Sequence, residues 1–63
     1  MRVGQRVVVM QKWSMFDGKT GTVRATGVGL DHKPFALVDM DEGGEGLRFG
    51  FGELEEMGPT SAA

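Results

Sequence analysis

This sequence has no cysteine and a single histidine, and its first ten residues hold an unbroken apolar run of only four. Without cysteine there can be no disulfide, thiolate metal site or cysteine nucleophile. A four-residue run is too short for a signal core or a membrane span, so a soluble, unexported, cytoplasmic protein is expected, with no membrane partner. His32 lies between Asp31 and Lys33 in an expected turn, where neighbouring side chains diverge and Asp31 cannot orient the imidazole. Ser14 and Ser61 have no base partner. The sequence therefore gives no catalytic residue, implies no cofactor or metal, and points to binding rather than to an enzyme.

At 63 residues the chain supports one domain, expected over residues 1–57, with 58–63 (Gly-Pro-Thr-Ser-Ala-Ala) as a flexible tail that has little to bury. Net stability is expected to be small, a situation in which an oligomer or a partner contributes. The net charge is −2, unevenly spread along the chain: residues 1–38 carry six Lys/Arg against two Asp/Glu, and residues 39–63 carry one against seven. Strands from the two halves can interleave, so this asymmetry need not survive folding.

Eleven glycines leave little room for helices. The glycine-free stretch 5–17 opens on Val7-Val8-Val9, whose β-branched side chains favour a strand, although Val9, Trp13 and Phe16 would also fit one helical face. Strands are expected at about 5–11, 20–26, 34–40, 46–51 and 54–57, with a 3₁₀ turn near Gly52-Glu53-Leu54-Glu55. Alternation assigns Val7, Val9, Val23, Ala25, Ala36, Val38, Met40, Leu47, Phe49 and Phe51 to the core, closed by Leu54 and Met57. Asp17-Gly18, Gly27-Val28-Gly29 and Asp41-Glu42-Gly43-Gly44 supply the reversals, and Pro34 belongs at a strand start or edge. The fold class expected is all-β, a single five-stranded small barrel with a short 3₁₀ turn before the last strand.

Gly4-Gln5-Arg6-Val7-Val8-Val9 followed by Asp17-Gly18-Lys19-Thr20-Gly21-Thr22-Val23 resembles the KOW motif of SH3-like barrels in transcription elongation factors and ribosomal proteins. The resemblance spans residues 4–24 and departs from the motif at Gln5, where an acidic residue is common. The second half, Phe35-Ala36-Leu37-Val38-Asp39-Met40-Asp41 with Phe49 ahead of Glu53-Leu54-Glu55-Glu56-Met57, looks like the closing strands of the small peripheral SH3-like subunit of photosystem I. Type II dihydrofolate reductases build an active pore from such barrels with a Val-Gln-Ile-Tyr segment, whereas Gly46-Leu47-Arg48-Phe49 carries neither the amide nor the phenol. The resemblance implies a binding module of the nucleic-acid machinery.

Lys12, Trp13, Met15, Phe16 and Lys19 form the most informative group, large apolar residues between cations in the loop after the first strand. Either Trp13 or Phe16 folds back to cap the core, or Trp13 is a binding anchor flanked by charge. The leading expectation is docking onto a protein partner through Lys12, Trp13, Phe16 and Lys19, with Asp41, Glu42 and Glu45 selecting a basic partner. The alternative is direct RNA or DNA binding, with Arg24, Lys33 and Arg48 joining Lys12 and Lys19 on phosphates while an aromatic ring stacks a base. An isoelectric point of about 5.2 stands against it. A third alternative is a homo-oligomer using Phe49, Phe51 and an exposed strand edge. Asp39, Asp41, Glu42 and Glu45 lack EF-hand spacing and read as a solvated turn, and Gly27-Val28-Gly29 lacks the helix that a phosphate loop needs.

Overall fold

The computed structural model describes residues 1–57, so the expected tail at 58–63 lies outside the described residues. Five strands follow one another as β1 (Arg6–Val9), β2 (Thr20–Val28), β3 (Pro34–Met40), β4 (Leu47–Gly50) and β5 (Leu54–Glu56), with a 3₁₀ turn at Phe51–Glu53 between the last two. All neighbours pair antiparallel in a single sheet of order β4-β3-β2-β1-β5. The all-β expectation holds. No ladder joins β4 to β5 among the described residues, so the sheet has two edges.

Alternation along these strands builds one buried face from Val7, Val9, Val23, Ala36, Val38, Met40, Phe49 and Leu54. Val7, Val9 and Val38 are completely buried, as β-branched residues on an inward pleat should be. Phe16, Leu47, Phe51 and Met1 pack against the rim of this cluster. Four residues expected in the core fall short of it, the first being Leu47, which opens β4 and is only partly buried. Phe51 is only partly buried because it starts the 3₁₀ turn rather than ending β4, and Met57 lies past the end of β5 and is 44% exposed. Ala25 is displaced by a β-bulge: the β2–β3 register runs Val23↔Val38 and then Ala25↔Leu37, leaving Arg24 as the extra residue. Past the bulge the alternation inverts, and Ala25 joins Leu37 on the outer face.

The stretch left open between strand and helix resolves into a short strand and a turn-rich loop. β1 stops at Val9, whose backbone closes the loop by donating to the Lys19 carbonyl (2.9 Å) and accepting from Gly18 (2.8 Å). Gly18 sits at φ +80°, a conformation in which a side chain is strained, and this turns the chain back into β2. Residues between them are held by successive turns, with Ser14 donating to the Gln11 carbonyl, Asp17 to Ser14 and Lys19 to Phe16. β2 outruns its expected end because Gly27 accepts the Phe35 ring directly over its backbone, where a Cβ would lie 2.8 Å from Cζ. The Arg48 guanidinium covers the same ring at 4.2 Å from its centroid.

Candidate functional site: an apolar loop beside a neutralised charge lattice

The loop after β1 separates its two aromatic residues. Phe16 turns inward and meets Phe49 edge to face, centroids 6.0 Å apart at 86°. Trp13 turns outward and is 97% exposed. The capping role and the outward role, alternatives in the sequence, are thus divided between two residues three apart. Phe16 alone can cap because the Ser14 hydroxyl accepts its backbone N–H at 3.0 Å, fixing the direction in which the chain turns.

Trp13 does not stand alone. Met15 is 82% and Met10 54% exposed. Two shallow hollows of about 320 Å³ each flank the loop, one lined by Met10, Lys12, Trp13 and Glu53, the other by Met15, Phe16, Met40 and Glu42. A rigid indole beside two flexible thioethers is a surface able to fit apolar groups of varied shape. Lys12 is exposed next to Trp13 and carries no ion pair among the described residues.

The acidic residues expected to select a basic partner are matched by cations of this chain. Arg6 grips Asp41 with two hydrogen bonds of 2.7 and 2.6 Å, and Thr20 Oγ1 donates to the same carboxylate at 2.6 Å. Lys19 Nζ lies 3.0 Å from Glu42. Arg24, delivered by the bulge, pairs with Asp39 at 3.1 Å and reaches Glu45 at 3.6 Å. The other Asp39 oxygen accepts the Gly46 N–H at 2.8 Å and so anchors the turn between β3 and β4. Hydrogen bonds from Arg6 and then Thr20 hold the Asp41 carboxyl well below the usual carboxylate range, and Asp41 in turn raises Arg6.

Each of these pairs joins the basic first half of the chain to the acidic second half, because antiparallel pairing sets β2 beside β3, and Arg6 of β1 reaches across β2 to the turn that follows β3. The lopsided charge of the sequence becomes a mixed lattice. Of the residues expected to contact phosphate, Arg24 and Lys19 are consumed in this lattice and Arg48 lies over Phe35, while Lys33 is exposed near the tip of the β2–β3 hairpin. Three of the five cations, Lys19, Arg24 and Arg48, are thus engaged within the chain. Among the described residues no group of three or more His, Asp or Glu is placed to hold a metal ion, and no helix is long and apolar enough to cross a membrane.

His32 sits exposed in the hairpin turn at φ 64°, with its backbone N–H on the Gly29 carbonyl. Phe49 is 4% exposed, so the self-association surface expected at Phe49 and Phe51 is not offered by Phe49. Sequence reasoning passed over Met10, Val28 (65% exposed) and Leu30 (fully exposed). Met10 read as a continuation of β1 and Val28 as part of a glycine turn, and Leu30 was assigned no role; their apolar type at a reversal was the only available signal. No family model, curated protein or solved structure matches the chain.

Proposed function

We propose that this chain is a non-catalytic, SH3-like module of the KOW type that docks onto a protein partner, with Trp13 as the anchor, within transcription or translation machinery. Two features support the barrel reading. The sheet order puts β4 and β5 at opposite edges, and the 3₁₀ turn that links them is the joint at which such a sheet folds back on itself. The KOW-like glycines also have the geometry that the motif needs, with Gly18 at positive φ and Gly21 so close to β3 that a Cβ would lie 2.7 Å from the Asp39 carbonyl oxygen.

The observation that carries the docking reading is the exposure of Trp13, together with Met10 and Met15, on a loop whose Phe16 already caps the core. In a chain this small every apolar side chain withheld from the core forgoes stabilisation, and exposed Trp is the residue type most enriched at binding hot spots. Because Asp41, Glu42 and Glu45 already have partners, the attraction is mainly apolar and only weakly dependent on salt.

Direct RNA or DNA binding is the second reading, favoured by the exposed Lys12, which has no ion pair among the described residues, beside the exposed indole. Titration with single- and double-stranded oligonucleotides at two salt concentrations separates the two. The docking reading predicts no oligonucleotide binding at low salt, together with nuclease-resistant capture of a protein from the native host that fails with Trp13→Ala. Oligonucleotide affinity that falls steeply with salt and vanishes in Trp13→Ala replaces it with the nucleic-acid reading.

A further inference from the structure

β2 is paired along its full length on one side and along less than half on the other. Its ladder with β3 runs from Gly21 to Val28, whereas its ladder with β1 covers Thr20 to Thr22 and ends with the bonds between Val23 and Gly4 and Gln5. Beyond Val23 no described strand lies on the β1 side. The direction of each backbone group there follows from the hairpin: Gly29 donates to the Lys33 carbonyl, so Gly29 faces β3. By the two-residue repeat of a strand Gly27 faces β3 as well, and Thr26 and Val28 turn their N–H and C=O groups to the open side.

Past the bulge at Arg24, this open edge carries neither charge nor proline to oppose pairing: residues 25–30 read Ala-Thr-Gly-Val-Gly-Leu. Thr26 and Val28 are exposed, and Leu30 projects just beyond them. By contrast, on the β4 edge the N–H of Gly50 is already taken by the Glu53 carboxylate at 2.9 Å.

We propose that the free edge of β2 pairs with the same edge of a second copy of this chain. Antiparallel pairing about a two-fold axis through Gly27 sets Thr26 opposite Val28 of the other copy and Val28 opposite its Thr26. Each of these two pairs exchanges both N–H and C=O, so four hydrogen bonds form from groups otherwise left to water. The result is a continuous six-stranded sheet, β4-β3-β2 from each copy. A second copy suits this edge better than an unlike strand on two grounds. The two-fold pairing sets β-branched Thr against β-branched Val, a favourable cross-strand pair. The edge is also uncharged, so two chains of like net charge, −2 each, meet there without direct repulsion. The Trp13 surface takes no part, so this pairing is independent of the docking function.

Sedimentation velocity of the full chain from low micromolar to millimolar concentration tests the proposal, alongside Val28→Lys, Thr26→Pro and Trp13→Ala. Proline at 26 removes an outward N–H without removing a bond to β3, and lysine at 28 charges the edge. The expected result is a monomer–dimer equilibrium for the wild type and for Trp13→Ala, with Val28→Lys and Thr26→Pro monomeric at the highest concentration and unchanged in circular dichroism. If Thr26→Pro fails to fold, Val28→Lys decides. A wild type that stays monomeric throughout, a dimer that persists in folded Val28→Lys, or a dimer lost in Trp13→Ala overturns the proposal.

Discussion

Gly21→Ala tests the packing that lets β2 cross β3. The added Cβ would lie 2.7 Å from the Asp39 carbonyl oxygen, 2.7 Å from Val38 Cγ1 and 3.2 Å from Met40 Cα. Two of those three atoms are backbone, in a strand held on its other side by β4, so the clash cannot be relieved by a rotamer change. The third belongs to Val38, which has no exposed surface into which to move. Overpacking of this kind costs about 1–3 kcal/mol. Alanine stiffens the unfolded chain and returns about 0.4–1 kcal/mol. The net expectation is destabilisation by about 1–2 kcal/mol, which lowers the melting temperature of so small a domain by roughly 5–15 °C. Urea unfolding followed by circular dichroism should show a lower midpoint with an unchanged slope. Gly52→Ala is the control: nothing lies within 4 Å of its Cβ and its φ is not positive, so it should be neutral or slightly stabilising. A Gly21→Ala protein as stable as the wild type would refute the reasoning.

Trp13→Ala and Phe16→Ala should part company in the same assay. The first leaves the midpoint within about 0.5 kcal/mol because the side chain touches little, and the second costs about 2–3 kcal/mol, somewhat below the range for a fully buried Phe. Asp41 has a folded pKa below its unfolded one, so its contribution is complete above the unfolded value of about 3.9 and fades as pH falls further, toward the folded value. The stability gap between wild type and Asp41→Asn, measured by urea midpoints from about pH 6 to about pH 2, should therefore narrow as the acid range is entered; a gap independent of pH would contradict the pairing with Arg6. His32 occupies the left-handed region, so His32→Asn should melt with the wild type and His32→Val should lose about 1 kcal/mol, a branched side chain being the worst fit there.

Much of the fold was legible because it rests on local chemistry. β-Branched alternation located Val7, Val9 and Val38 in the core, Pro34 opens β3 as its missing donor requires, and the glycine-rich reversals at Gly18 and Gly43-Gly44 fall where positive φ is needed. The bulge at Arg24 was not legible, since a register shift depends on how β3 presents its carbonyls and leaves no mark in β2's own residues. That one shift misassigned Ala25 and also hid the Arg24–Asp39 pair. For the candidate site, sequence narrowed attention to the loop after β1 but could not decide which of Trp13 and Phe16 faces outward, because a cap and an outward-facing aromatic have the same composition. The ion pairs of the acidic turn were not legible for a related reason: its cations, Arg6, Lys19 and Arg24, lie 15 to 35 residues away in sequence and meet it only through strand pairing.

The central claim is that Trp13 anchors a protein partner. The direct measurement is the dissociation constant of the protein captured from the native host, determined for wild type and Trp13→Ala after nuclease treatment and at two salt concentrations. A buried indole anchor is worth at least about 2 kcal/mol, so the variant should bind roughly 30-fold or more weakly, with little change on adding salt and with its own fold intact. Affinities that agree within about threefold, or binding that disappears with nuclease, would contradict the account.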